Sequence, residues 1–198
     1  MPLVYADDNL AWEGFSVLQR FADLLATTDF GHPVVIEGKK VKLVKKGSPQ
    51  ISATAGLIDH FLQGLSYAVT LRYTWRHSSG FINEWKKALA ALELVDGTVL
   101  DKLNTNSLTE VPVILAANPD YWTRNYHWGS NQEHWRNLKA LVRVANESGY
   151  PIFAGRLSEP ASHDEKWQFE VTSWDSLPDP SADNQISFPG DTPNSQPI

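Results

Sequence analysis

The sequence predicts an α+β fold in a single domain. Segments whose apolar residues recur at helical spacing alternate with short β-branched runs, and a strand, a helix and a strand follow one another between 111 and 155. With 198 residues and 42% apolar content, the chain can bury one substantial core. The globular part is expected to span 1–174, followed by a tail over 175–198.

In "DDNLAWEGFSVLQRFADLL", Leu10, Val17, Leu18, Phe21, Leu24 and Leu25 lie on one helical stripe. Asp7, Asp8 and Asn9 stand where side chains can accept from the free N–H groups of a helix start. This predicts an amphipathic helix. The next stretch, "HPVVIEGKKVKLVKKG", contains two β-branched runs joined at Glu37-Gly38-Lys39, the pattern of a basic β-hairpin ending at Gly47.

"GLIDHFLQGLSYAVTLRYTWRH" supports two readings. Leu57, Ile58, Phe61, Leu62 and Leu65 follow a helical stripe, whereas Val69, Leu71, Tyr73 and Trp75 alternate with Thr70, Arg72, Thr74 and Arg76 as in a strand. The structure of 66–76 therefore stays open. A separation of four puts Arg72 and Arg76 on one side in either case.

"FINEWKKALAALELV" is a helix by the stripe of Phe81, Trp85, Leu89 and Leu92, with Ser78, Ser79 and Gly80 before it and Asp96-Gly97 after it. "VPVILA" reads as a buried strand. Ser130 and Glu133 have the spacing of a capping box; behind it Trp135, Leu138, Val142 and Ala145 form the buried stripe of a helix that stops at Gly149. "YPIFAG" and the alternating "KWQFEVTSW" complete the set as two further strands. The strand at 111–116, helix at 131–147 and strand at 150–155 form a βαβ-like unit. The tail changes to Pro, Asp, Ser, Asn and Gln, and only Ile186 and Phe188 in "QISFPGD" could dock on a partner surface.

The βαβ unit gives an address to "NPDYWTRNYHWGSNQEHWRN". Its loop, 117–130, leaves the carboxyl end of a strand and feeds a helix, the side on which open α/β sheets bind ligands. Tyr121, Trp122, Tyr126 and Trp128, with Arg124 and His127 as polar contacts, could receive bases or a small ligand. The same rings could equally plug the end of the sheet, with ring buried and polar tip wet, and the capping box favours the plug by using up N–H groups that a phosphate would need.

Charge and composition limit the chemistry. A net charge of -6 argues against a surface that coats nucleic acid, leaving at most a local footprint of Lys39, Lys40 and Lys42 with Arg72 and Arg76. Lysines on an exposed hairpin also keep sheet edges from pairing. The absence of cysteine removes thiolate nucleophiles and ligands. His127 and His134 do not have the spacing of a metal pair, and no P-loop, HExxH, GxSxG or GxGxxG pattern occurs. No catalytic residue, metal or cofactor is assigned. Without an apolar span or a signal-peptide pattern, the expected setting is inside the cell or in a particle assembled there, away from membranes.

The eight tryptophans and the sticky tail suggest a non-enzymatic, self-associating subunit of coat or scaffold type, a homo-oligomer or the partner of another protein. The alternatives are a binding module using loop 118–130 for single-stranded nucleic acid or a small ligand, and an enzyme with an unfamiliar acid-base site.

Overall fold

The computed structural model describes residues 24–28, 30–39, 53–91, 97–103, 108–119, 121–122, 132–158 and 168–177. They form a five-stranded sheet in the order β1-β2-β3-β4-β5, with strands β1 Leu24–Thr27, β2 Pro33–Lys39, β3 Val113–Ala117, β4 Ile152–Ser158 and β5 Gln168–Ser173. The three central strands are parallel and the two edge strands antiparallel to their neighbours. Helices α1 Ala53–His77, α2 Ser79–Ala91 and α3 Gly97–Lys102 connect β2 to β3, and α4 Gln132–Glu147 connects β3 to β4. The α+β class and the βαβ-like unit are thus as the sequence implies, and the pairing of β3 with β4 is parallel.

The central strands are apolar on both faces, as buried parallel strands must be. Val35, Val113, Leu115, Ile152 and Ala154 face the helices, where they meet Phe61, Ala68, Leu71 and Trp75 of α1, Trp85 and Leu89 of α2, and Leu138 and Val142 of α4. Val34, Ile36, Ile114 and Ala116 point to the opposite face, with Phe153, Phe169 and Val171 beside them; among the described residues no helix belongs to this second cluster. At its edge the Phe169 ring covers Gly155, where a Cβ would lie only 2.9 Å from the ring.

The open question over 66–76 resolves as helix. Leu57, Phe61, Gly64, Ala68, Leu71 and Trp75 are buried at spacings of three and four, a stripe that continues unbroken through the region of apparent alternation. Val69 and Tyr73 belong to the opposite, exposed side of α1, so the alternation arose from interleaving two helical faces. Gly64 lets α1 approach the sheet, since a Cβ there would stand 2.8 Å from Val113 Cγ1.

Two boundaries differ from the sequence reading. Leu24 and Leu25, expected at the end of the first helix, begin β1 and pair with Ile36 and Val35. Glu37, Gly38 and Lys39, expected as a hairpin turn, continue β2 and pair with Leu115, Ala116 and Ala117 of β3. The hairpin lies one step earlier, between β1 and β2, where Gly31 has φ +81 and its N–H bonds Thr28 O at 2.9 Å. A local turn signal lost here to a parallel neighbour able to pair with the extended backbone. The rest of the first predicted helix, Lys40, Lys42, Lys45 and Lys46, and Ile186 and Phe188 lie outside the described residues. The fold itself reaches past Trp174, because Leu177 is buried and Asp175 accepts from Asn146 Nδ2 at 2.9 Å.

Local signals were reliable where both partners are close in sequence. Ser78 Oγ accepts the Phe81 N–H at 3.3 Å, capping α2. At the end of α4, Gly149 (φ +84) is the left-handed residue of a Schellman motif: Tyr150 N–H bonds Ala145 O at 2.9 Å and Gly149 N–H bonds Asn146 O at 3.1 Å. A Cβ at Gly149 would lie 2.6 Å from Thr109 O. Gly149→Ala is therefore expected to cost about 2 kcal/mol or more, combining the left-handed penalty with this clash, as read from urea unfolding. An unchanged midpoint would refute the assignment.

Candidate functional site

The carboxyl ends of β2 and β3 bring together the described residues with the most perturbed chemistry. His60, on the buried side of α1, is fully enclosed. Its Nε2 lies 2.7 Å from Glu37 O and its Nδ1 lies 3.1 Å from the Tyr121 hydroxyl. A carbonyl can only accept, so Nε2 carries the proton and Nδ1 accepts from Tyr121. Burial lowers the His60 pKa to about 4, against the small opposing effect of the bond to Glu37 and with a further lowering by the Lys39 charge. Burial, helped by the charge of Asp59, raises that of Tyr121. Both groups are neutral near pH 7.

Tyr121 and Trp122 occupy the turn after β3, where both N–H groups bond Asn118 O and Asn118 Oδ1 also accepts from Tyr121 N–H. Both rings are buried. The Tyr121 ring meets His60 edge-on at 5.4 Å, and Trp122 donates from Nε1 to Gly155 O at 2.8 Å and packs edge-on against Trp174. Trp174 in turn stacks on Trp135 of α4 at 5.7 Å. The described part of the aromatic loop is thus a plug that ties α1, β3, β4 and α4 together. Arg124, Tyr126, His127 and Trp128 lie outside the described residues, as do the side chains of Glu133 and His134.

The described basic candidates, Lys39, Arg72 and Arg76, do not form one patch. Lys39, at the carboxyl end of β2, pairs with the buried Glu37 carboxylate at 3.4 Å and also donates to Gln63. Arg72 and Arg76 do share a side, but α1 runs antiparallel to β2 and β3 and carries them to the other end of the sheet. There Arg72 Nη1 donates to Ser148 O at 2.7 Å and lies over the Tyr150 ring, while Arg76 Nη2 donates to Leu108 O at 3.2 Å. Both guanidinium groups fasten α1 to loops of this chain.

Chemically, the arrangement holds a neutral histidine with both nitrogens engaged and a neutral phenol, which suits cross-linking of secondary structure better than proton transfer with a solvent-borne substrate. Among the described residues no group of three His, Asp or Glu could hold a metal ion, and no helix is long and apolar enough to cross a membrane. Sequence reasoning passed over His60 and Glu37. His60 had a usable signal, since it stands three after Leu57 and next to Phe61 on the apolar stripe; Glu37 had none, because its burial depends on α1 crossing the end of β2.

Comparison of the chain with family models, with curated proteins and with solved structures finds no match. The class is that of a mixed-sheet α+β protein with a helical layer packed on one face.

Proposed function

We propose that the protein is a non-enzymatic interaction subunit that self-associates through its helical layer. One observation carries this reading: α1 and, to a lesser extent, α4 leave large apolar side chains exposed away from the sheet, set among polar neighbours such as Gln63 and Arg76 on α1 and Arg136, Arg143 and Glu147 on α4. Leu62 (48%), Val69 (45%) and Tyr73 (64%) on α1, and Leu141 (45%) and Val144 (60%) on α4, are large apolar side chains left open to solvent. Single exposed apolar residues are ordinary, but helices that repeat them along the side away from their own core have a second face suited to burial. The burial of Tyr121 and Trp122 within the chain, and the placing of Lys39 at the opposite end of the sheet from Arg72 and Arg76, favour this reading over ligand or nucleic-acid contact.

Multi-angle light scattering from low to high micromolar protein should show the mass rising above that of the 22.2 kDa chain. A particle that stays monomeric at the highest concentration would refute self-association.

A further inference from the structure

We propose that α1 pairs antiparallel with α1 of a second copy about a twofold axis passing between Ser66 and Val69, an inference that rests on the self-association reading and names its interface. Asp59, Leu62, Ser66, Val69, Tyr73 and Arg76 are all exposed. They follow one another at spacings of three and four, the a/d stripe along which helices pack at a shallow left-handed crossing. The buried stripe of Leu57, Phe61, Ala68, Leu71 and Trp75 occupies the other side of the same helix, so the exposed stripe is available for a separate contact.

The order of residues along this stripe identifies the occupant. A twofold, antiparallel pairing matches each position with the one equally distant from the centre on the other helix. Leu62 then meets Tyr73 of the second copy, Ser66 meets Val69, and Asp59 meets Arg76. Leu62 and Tyr73 meet as large, largely apolar side chains, the central pair sets the small Ser66 against Val69, and opposite charges meet at both ends. A parallel pairing in register would instead set Asp59 on Asp59 and Arg76 on Arg76. The side chains at one end are already ordered: Tyr73 packs on His77 with ring centroids 4.5 Å apart, and the bond from Arg76 Nη2 to Leu108 O holds that guanidinium while leaving its other N–H groups for a carboxylate. Prior ordering lowers the entropy lost on association. A contact confined to one helix of 25 residues belongs at the small end of specific interfaces, so the dimer fraction should depend on concentration in the micromolar range.

Charge exchange tests the pairing at two exposed positions; Arg76→Asp also removes the bond to Leu108 O, a loss that the double variant shares while its charge pairing is restored. Asp59→Arg and Arg76→Asp each convert two attractive contacts per dimer into repulsions and should weaken dimerisation about tenfold at low salt. The equimolar mixture of the two variants should recover as a 1:1 heterodimer, because each like-charged helix then faces its opposite. The double variant Asp59→Arg/Arg76→Asp should recover as a homodimer, and Val69→Glu at the centre should leave a monomer. Sedimentation velocity reads all five samples beside the unaltered chain. If the unaltered chain dimerises and the charge variants and Val69→Glu dimerise equally well, the α1 pairing is wrong and self-association through another surface stands. If the unaltered chain is monomeric throughout, both proposals fall.

Discussion

Replacing Trp122 by alanine is expected to lower the unfolding free energy by about 3 to 5 kcal/mol, the largest effect of any single truncation considered. The ring is 2% exposed, and its loss opens a void between Tyr121 and Trp174. It also removes the Nε1 donor from Gly155 O, a backbone acceptor on β4. Trp122→Phe separates the two contributions: it keeps an aromatic ring in place but leaves the carbonyl without that donor, and should cost about 1 to 3 kcal/mol. Urea denaturation of both variants checks the order. A loss below about 1 kcal/mol for Trp122→Ala would mean that the ring contributes little to the core, and the recognition reading of the aromatic loop would regain its place.

Acid should destabilise the protein through His60 by about 3 kcal/mol in total. In the unfolded chain this histidine takes up a proton near pH 6.5, whereas in the fold burial holds its pKa at about 4. Between those values the unfolded state binds more protons than the folded state. The contribution of the neutral, buried ring is therefore complete above pH 6.5 and is lost progressively as the pH falls through 4. Below that, both states are protonated and the effect is constant. Carboxylates titrate in part of the same window, so the measurement is a difference: His60→Gln should be less stable at pH 7 but show a shallower fall towards pH 4. Parallel stability curves for the two proteins would contradict the buried, neutral assignment.

Much of the fold could be read from the sequence because much of it is specified locally. The caps and stops at Ser78 and Gly149 depend on backbone groups a few residues away, and the stripe from Trp135 to Ala145 depends only on helical periodicity. The same periodicity misled at 69–75, where a two-faced helix mimics the alternation of a strand. At Glu37-Gly38-Lys39 the turn chemistry was present, yet the stretch is extended because β3 lies alongside to pair with it. The candidate site was harder to see. Tyr121 and Trp122 drew notice through their aromatic density, but whether they face solvent or core depends on the elements above and below them.

By itself the sequence determined the α+β class, a βαβ-like unit and the amphipathic helices α2 and α4, since side-chain periodicity and end capping act within an element. Only the tertiary structure decided which elements become neighbours. It brought His60 to Tyr121 across 61 positions and sent Lys39 to one end of the sheet and Arg72 and Arg76 to the other. It also left the outer side of α1 uncovered by its own core. The physical reason is common to all three: strand order and helix direction set these distances, and no spacing within one segment encodes them.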